Sequence, residues 1–315
     1  MSMLKKLVRI NNDLKKGTVL VTAIEKKIYP TPNWEVDGYK SLTYGQYGDS
    51  IEKVAHWLDT QLSKATATDT VAYLGPNDLR NAILWPAVVK TGRKLMIPDG
   101  RVTDEGLKTL LRDTKAKVWI STEDDVKGPL DSLSEGLTNI ALPPMDWCLC
   151  ASWHEHYPYE KTWDEAKWDE ILIIHTSGTT GLQKPIYHTN GWHVCSKARE
   201  LPKIHFPRGT VHDAWLGKSV VLSCPPQWLG GLVHYVNFLV YASTVAVIPP
   251  ADHAAFSPDV FKKLIRMDTA DGIKCPPHSI HQLYAEAETQ QLMKDFQFIV
   301  YLGAALVKQM IQVSP

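Results

Sequence analysis

The sequence has no excess of charge of either sign and no long apolar run. Its 315 residues include 34 Lys and Arg and 34 Asp and Glu. This balance gives no electrostatic argument for nucleic acid, a membrane surface or an acidic partner. No apolar run approaches the roughly 20 residues of a membrane span, and the basic N-terminal segment lacks the apolar core of a secretory signal. We therefore predict a cytoplasmic protein that binds neither nucleic acid nor membranes.

Cysteine is scarce, and the cysteines are scattered. The five positions are Cys148, Cys150, Cys195, Cys224 and Cys275. Only the first two lie close together, and a C-x-C pair alone makes neither a zinc site nor a disulfide framework. The twelve histidines show no metal-ligand spacing. We predict free thiols in a reducing compartment and no protein-ligated metal.

Short β-rich runs alternate with segments of helical pattern along most of the chain. The runs lie at 70–75, 94–98, 117–121, 171–175, 220–224, 244–248, 272–275 and 298–302. Most are continuously apolar, as in strands that are buried on both faces. The helical segments lie at 44–63, 77–90, 104–112, 258–267 and 279–293. This alternation predicts βαβ units and a largely parallel sheet.

Residues 122–169 interrupt the alternation. They are rich in Pro, Asp, Glu and Trp, which predicts a long connection that runs between two sheets. The near-repeat WDEAKWDE at 163–170 is too short for a repeat protein. We interpret it as a turn that leads into the strand at Ile171.

The stretch HTSGTTGLQKP, His175 to Pro185, directly follows the apolar run Ile171 to Ile174. Its glycines can adopt positive φ and expose backbone N–H groups. Its Ser and Thr hydroxyls are further donors, and Lys184 adds a mobile positive charge. Clustered donors, one cation and little steric bulk are the chemistry of a phosphate cradle. The alternative is a Gly/Ser/Thr-rich surface turn without a ligand.

The loop does not match the P-loop pattern G-x-x-x-x-G-K-[ST]. The spacing differs, and Pro185 stands where Ser or Thr would hold magnesium. Pro185 also disfavours a helix that starts immediately and contains the lysine. The composition therefore predicts a different nucleotide-binding device.

HTSGTTGLQKP closely resembles the [ST]-[ST]-G-[ST]-T-G-x-P-K signature of the adenylate-forming superfamily. This superfamily includes acyl-CoA synthetases, luciferases and the adenylation domains of nonribosomal peptide synthetases (NRPSs). The matching positions are Thr176, Ser177, Gly178, Thr179, Thr180, Gly181 and Lys184. Gln183 departs from the pattern, because the family usually has proline there. The resemblance implies that these residues bind ATP phosphates, with Lys184 at the β and γ groups.

Four other segments support the resemblance in family order. They are VAYLGPNDLRNAILWPAVVKTGRKLMIPD at 71–99, CPPQWLGGLVHY at 224–235, GIKCPPHSIHQL at 272–283 and YLGAALVKQM at 301–310. The residue sequences of these segments are most similar to those of fungal NRPS-like enzymes. In such enzymes an adenylation domain precedes carrier and reductase domains. The implied fold is α/β: the large N-terminal subdomain of an adenylate-forming enzyme, with stacked, mainly parallel sheets and flanking helices. Residues 1–315 would be a partial adenylation domain.

The resemblance also assigns expected binding residues beyond the loop. Gly303 and Ala304 would lie beside adenine and the substrate carboxylate. The substrate pocket would be shaped by Pro226–Gly231 and the 303–305 segment, with Trp228, Gly230, Gly231 and Ala305 as its expected residues. Trp228 stands where the family often has histidine or another aromatic residue. Its side chain either forms the floor of the pocket or fills the pocket. Ala305 replaces the usual proline.

Several motifs of such enzymes do not occur in these 315 residues. There is no aromatic-Gly-x-Thr-Glu motif, whose Glu helps to hold magnesium, and no later ribose Asp or lid lysine. A carrier serine motif and a G-x-G-x-x-G reductase fingerprint do not occur either. The expectation is therefore a C-terminally truncated domain.

The resemblance predicts that a small carboxylic acid is activated as an acyl-adenylate with ATP and Mg²⁺. In a longer protein the acyl group would pass to a phosphopantetheine carrier, with a carrier or reductase domain as partner. Two alternatives remain open. One is a catalytically incompetent, truncated remnant, and the other is a half-enzyme that needs another chain.

Overall fold

The computed structural model describes residues 27–30, 33–62, 69–122, 136–149, 152–153, 155–177, 182–195, 218–233, 245–247, 257–266 and 270–306. The strands are β1 Lys27–Pro30, β2 Tyr39–Ser41, β3 Thr70–Tyr73, β4 Lys94–Met96, β5 Ala116–Thr122, β6 Thr138–Leu142, β7 Glu170–His175, β8 Pro185–Thr189, β9 Ser219–Leu222, β10 Val245–Val247, β11 Gly272–Cys275 and β12 Phe298–Tyr301. The helices are α1 Trp34–Asp37, α2 Tyr44–Gln61, α3 Leu79–Lys90, α4 Asp104–Asp113, α5 Met145–Cys148, α6 Trp163–Ala166, α7 Asn190–Cys195, α8 Pro258–Arg266, α9 Pro277–Tyr284 and α10 Ala287–Met293. The described residues within 43–201 form a first compact unit, and those within 21–42 and 202–315 form a second.

A six-stranded sheet organises the first unit, with the strand order β6-β5-β3-β4-β7-β8. Neighbouring strands are parallel except for the antiparallel pair β7 and β8. Strand β3 is buried throughout, and so are the four apolar residues of β7. The prediction of a largely parallel sheet with continuously apolar strands is confirmed here.

Helices flank this sheet, and their ends follow local capping chemistry. Helix α2 begins with a capping box in which the side chains of Thr43 and Gln46 bond to each other's backbone N–H groups. Helix α3 begins at the N-cap Asp78 and is buried along its whole length. Its Trp85 indole N–H donates to the carbonyl of Ile171 at 3.0 Å, which ties α3 to β7. Helix α4 contributes Leu110 and Leu111 to an apolar core over the sheet.

The expectation that residues 122–169 form one long connection is wrong for part of the segment. Strand β6 lies within it and pairs in parallel with β5 at the edge of the sheet. The pattern was hard to recognise because only Leu142 of this strand is buried. The prediction for 163–170 is confirmed: a capping box between Thr162 and Glu165 starts the single turn α6, and β7 follows.

The second unit contains a parallel four-stranded sheet in the order β10-β9-β11-β12. It also contains the antiparallel pair β1–β2, which the sequence pattern missed. Helices α8, α9 and α10 share a core with β9 and β11, in which Phe261 and Ile273 are fully buried. Together with the first unit, this unit confirms the predicted fold class of mainly parallel sheets with flanking helices.

The single helix that was expected at 279–293 is two helices, α9 and α10. The Thr289 hydroxyl donates to the carbonyls of Leu283 and Glu286, the latter at 3.0 Å. The Gln290 amide donates to the carbonyl of Tyr284 at 2.6 Å. Two of these bonds satisfy the carbonyls of Leu283 and Tyr284, the last two residues of α9, which helps the helix to end there.

Candidate functional site

The predicted phosphate loop closes an antiparallel hairpin in the first unit. Strand β7 ends at His175, and β8 begins at its register partner Pro185. The Thr176 N–H donates to the carbonyl of Lys184 at 3.0 Å, and the Lys184 N–H donates to Thr176 Oγ1 at 3.1 Å. The two ends of the loop are thus fastened together at the carboxyl end of β7. Gly178, Thr179, Thr180 and Gly181 lie outside the described residues.

His175 connects the neck of this loop, which is formed by Thr176, Ser177 and Lys184, to the segment that follows strand β4. Its Nε2 accepts a hydrogen bond from the Asp99 N–H at 2.8 Å, so the proton is on Nδ1, which donates to the Thr176 carbonyl at 2.8 Å. The Asp99 carboxylate accepts from the backbone and guanidinium of Arg101, at distances between 2.5 and 3.0 Å. The sequence did not single out this support. The only sequence feature that pointed to it was a histidine between the apolar run and the loop.

The side chains at the neck of the loop are exposed to solvent, so a phosphate group can reach them. Thr176, Ser177 and Lys184 are all exposed. Their hydroxyl groups and ammonium group are the donors that fit phosphate oxygens.

Gln183 replaces the usual proline of the signature and packs against helix α4. A Cβ atom added to Gly106 would lie 2.4 Å from Gln183 Oε1. A glycine in the first turn of α4 therefore makes room for the larger side chain. The Oε1 atom itself is buried and accepts no hydrogen bond from the described residues.

The expected pocket segment in the second unit is a tight turn. The backbone of Leu229–Val233 is kinked at Gly231, whose φ of −90° and ψ of −107° are not helical. A Cβ atom at Gly231 would lie 1.7 Å from the carbonyl oxygen of Pro225. No other residue type fits this position without rearrangement of the backbone. Trp228 is half-buried, and its carbonyl accepts from the Gly231 N–H at 2.8 Å.

The fold brings this turn together with the segment that follows β12. A Cβ atom at Gly230 would lie 2.5 Å from Leu302 Cδ1 and 3.4 Å from Cys224 Sγ. The next residue, Gly303, has a φ of +101°, and Ala304 and Ala305 are exposed. Gly230 and Leu302, which are 72 residues apart in sequence, thus meet at the carboxyl end of the parallel sheet. This is the edge at which α/β folds bind ligands.

The sequence matches the AMP-binding enzyme family over residues 24–313. This chain belongs to that family. Over 285 residues it is 28% identical to a carboxylic acid reductase of Neurospora crassa, a match that covers 87% of this chain and 26% of the relative. Over 156 residues it is 34% identical to an isocyanide synthase–NRPS hybrid of Aspergillus fumigatus, covering 49% of this chain and 10% of the relative. The expected similarity to fungal NRPS-like adenylation domains is confirmed.

Solved structures of adenylate-forming enzymes share the fold of this AMP-binding family member. The inhibitor-bound N-terminal domain of FACL13 from Mycobacterium tuberculosis matches with a TM-score of 0.70 and 18% identity, covering 99% of this chain and 72% of that one. ATP-bound MatB from Rhodopseudomonas palustris matches with a TM-score of 0.72 and 17% identity, covering 99% and 57%. The chain therefore spans a little over half to about three quarters of these structures.

Sequence reasoning missed one charged residue close to the expected pocket of this family member. Lys274 on β11 has a relative exposure of only 2%. Its backbone carbonyl accepts from the Ser223 N–H at 3.0 Å, next to Cys224. Burial raises the pKa of the Cys224 thiol to about 11, and the positive charge of Lys274 opposes that rise. The detectable signal was a lysine within the otherwise apolar strand GIKC.

The remaining expectations concern thiols, metals and membranes. Cys148, Cys224 and Cys275 are free thiols, as predicted, and all three are buried. The side chains of Cys150 and Cys195 lie outside the described part of the chain. Within the described ranges, no group of three or more His, Cys, Asp or Glu side chains is arranged to hold a metal. No described helix combines the length and apolarity needed to cross a membrane.

Proposed function

We propose that this chain forms the nucleotide- and acid-binding part of an enzyme that activates a carboxylic acid with ATP. An oxygen of the acid attacks the α-phosphorus, the bond from that phosphorus to the β-phosphate oxygen breaks, and pyrophosphate leaves. The product is a mixed anhydride between the acid and AMP. The observation that carries the proposal is the closed hairpin of β7 and β8, which presents Thr176, Ser177 and Lys184 to solvent in a member of the AMP-binding family.

The roles of the residues follow from charge and position. Lys184 and the hydroxyls of the loop hold the β- and γ-phosphates, so that the α-phosphorus faces the acid in line with the leaving group. Mg²⁺, when bound, would neutralise negative charge on the phosphates as pyrophosphate departs. Gly303 and Ala304 allow close approach of the adenine and the carboxylate. The pocket wall that contacts the remainder of the acid is formed by Trp228, Gly230, Gly231 and Ala305.

The fate of the acyl-adenylate is part of the same proposal. The matched relatives are much longer than this chain and include a carboxylic acid reductase and an NRPS hybrid. We therefore expect the acyl group to pass to the thiol of a phosphopantetheine carrier, in a pathway of secondary metabolism.

ATP–pyrophosphate exchange tests the activation step directly. The purified chain would be incubated with ATP, Mg²⁺, labelled pyrophosphate and a panel of aliphatic and aromatic acids, while ATP binding is measured separately by calorimetry. We expect exchange that depends on the acid. ATP binding without exchange for any acid would overturn the activation proposal and favour the alternative of a chain that binds nucleotide without turnover.

A further inference from the structure

The phosphate loop is supported at both of its ends. At the outgoing end, the ring of His175 accepts from the Asp99 N–H and donates to the Thr176 carbonyl. At the returning end, the side chain of Gln183 places its Oε1 atom against the first turn of helix α4, beside Gly106. We propose that Gln183 and Gly106 form a matched pair that fixes the position of the loop. Gln183 is then a positioning residue for ATP, a role that rests on the proposed function.

The burial of Gln183 reverses the usual preference of its residue type. The apolar side chain of Leu182, just before it, is 47% exposed, whereas the polar Gln183 is half-buried. The Oε1 atom of Gln183 is inaccessible to solvent and accepts no hydrogen bond from the described residues. An amide oxygen loses hydration when it is buried, so this position is maintained only if other interactions compensate.

The first turn of α4 provides a favourable electrostatic environment for the Gln183 oxygen. The helix has Thr103 as its N-cap, and Gly106 is its third residue. The backbone N–H groups of a first turn carry partial positive charge. The side chains of Asp104 and Glu105, which are negative, are exposed to solvent. The buried end of the Gln183 carbonyl dipole therefore lies beside the positive end of the helix, which stabilises it without a direct hydrogen bond.

Gly106 leaves the space that the Gln183 side chain occupies. A Cβ atom at this buried position would collide with Gln183 Oε1 and would lie 2.9 Å from Val102 Cγ1. Because Oε1 is the end of a flexible side chain, an alanine at position 106 can be accommodated if Gln183 leaves its buried position. Glycine is the weakest helix former after proline. Its presence in α4 therefore favours the contact with Gln183 at the expense of helix propensity.

The contact with α4 lies next to the cation of the proposed phosphate site. Lys184 directly follows Gln183, and its N–H donates to Thr176 Oγ1 at 3.1 Å. Release of Gln183 from α4 would let Lys184 occupy more positions, so more freedom would be lost when ATP binds. The signature usually has proline at position 183, and the proline ring restricts its own backbone. In this chain a contact between distant residues supplies the restriction.

Native-state hydrogen exchange, followed by NMR on the whole 315-residue chain, tests the pair without ATP. The reporters are the amides of Thr176 and Lys184, whose hydrogen bonds close the loop. The amides between strands β3 and β5 are the internal reference. We expect Gln183→Ala and Gly106→Ala each to speed exchange of the reporters about fivefold and to leave the reference unchanged. A purely structural role would instead speed exchange of both sets.

A matched control and a double variant separate the contact from a change in helix propensity. Gly45→Ala alters a first-turn glycine of α2, where a Cβ atom would lie 3.7 Å from Thr43 Oγ1. It should exchange like the wild type. The double variant Gln183→Ala/Gly106→Ala should match Gln183→Ala alone, because the added Cβ atom then has no glutamine side chain to displace. Additive effects in the double variant, unchanged reporters in Gln183→Ala, or an equal effect of the control would each overturn the proposal.

Calorimetry of ATP binding connects the pair to the proposed site. Gln183→Ala and Gly106→Ala should each bind ATP about fivefold more weakly than the wild type, and Gly45→Ala should bind it equally well. Wild-type ATP affinity in Gln183→Ala would overturn the positioning role. A wild-type chain that binds no ATP would overturn the proposed function instead, and the exchange rates would still decide whether Gln183 and Gly106 fix the loop.

Discussion

His175 and Asp99 join two neighbouring strand ends through one hydrogen bond, 2.8 Å long, from the Asp99 N–H to the imidazole Nε2. The same ring donates through Nδ1 to the carbonyl of Thr176, the first signature residue of the loop. A single side chain therefore sets the position of the loop neck relative to the segment that follows β4. This arrangement makes His175 a positioning residue for the proposed phosphate site.

Replacing His175 with Phe tests this role. The change keeps a ring but removes both hydrogen bonds and leaves the Asp99 N–H without this acceptor. We expect the free energy of unfolding to fall by about 1–2 kcal/mol and ATP affinity to fall as well, measured by urea unfolding and calorimetry. His278→Phe, at an exposed histidine of α9, is the control for the substitution. ATP affinity equal to that of the wild type would show that the ring does not position the loop.

Lys184→Ala separates ligand binding from folding. The side chain is exposed, and the backbone N–H that donates to Thr176 Oγ1 remains after the substitution. Loss of a charged hydrogen bond to phosphate should weaken ATP binding about tenfold or more and slow any exchange. The stability should change by no more than about 0.5 kcal/mol. Lys167→Ala, at a half-buried lysine outside the loop in the same unit, should leave ATP binding intact. An equal loss in both variants would refute the specific role of Lys184.

Gly303→Ala tests whether the turn after β12 needs glycine. The φ of +101° at this position is unfavourable for any residue with a Cβ atom. We expect a loss of about 1 kcal/mol in the free energy of unfolding, or more, measured by urea denaturation. Gly100→Ala is the matched control, because a Cβ there would be in ordinary contact with Leu74. Equal free energies of unfolding for the two variants would mean that the turn accommodates a Cβ atom without loss of stability.

Stability should fall on acidification because two histidines are buried in neutral form. His193 is fully buried between Trp85, Trp192 and His188. Burial, with a smaller contribution from His188, lowers the pKa of His193 to about 3, and burial also lowers the pKa of His188. A lowered folded-state pKa means that the unfolded chain takes up the proton first. The stabilising contribution is therefore complete above about pH 6.5 and is lost progressively as the pH falls towards 3.

The measurement is urea unfolding at pH 7.5 and pH 5. At pH 5, His193 alone should lower the free energy of unfolding by about 2 kcal/mol relative to pH 7.5. His193→Gln removes the titrating ring and should show a smaller difference between the two pH values, whereas His278→Gln, at an exposed position, should keep the difference of the wild type. If His193→Gln keeps it too, another group controls the acid sensitivity.

Much of the fold could be predicted because its strands are short, apolar and separated by amphipathic segments. Strands such as β3 and β11 are buried at every position, so their composition identifies them without their neighbours. Strand β6 has one buried residue, and its position in the sheet depends on pairing with β5. The break between α9 and α10 depends on side chains of Thr289 and Gln290 that reach back to earlier carbonyls. Such contacts have no periodic signature.

The sequence by itself determined the family and predicted the phosphate loop, because both depend on a local signature of Gly, Ser, Thr and Lys. Only the tertiary structure decided what supports them. It placed Asp99 against His175, Gln183 against Gly106, and Leu302 against Gly230. It also gathered residues from three chain segments, including Arg93, Tyr159 and Trp168, around one cavity of the first unit. Contacts between distant segments arise from the packing of whole strands and helices, and no local pattern encodes them.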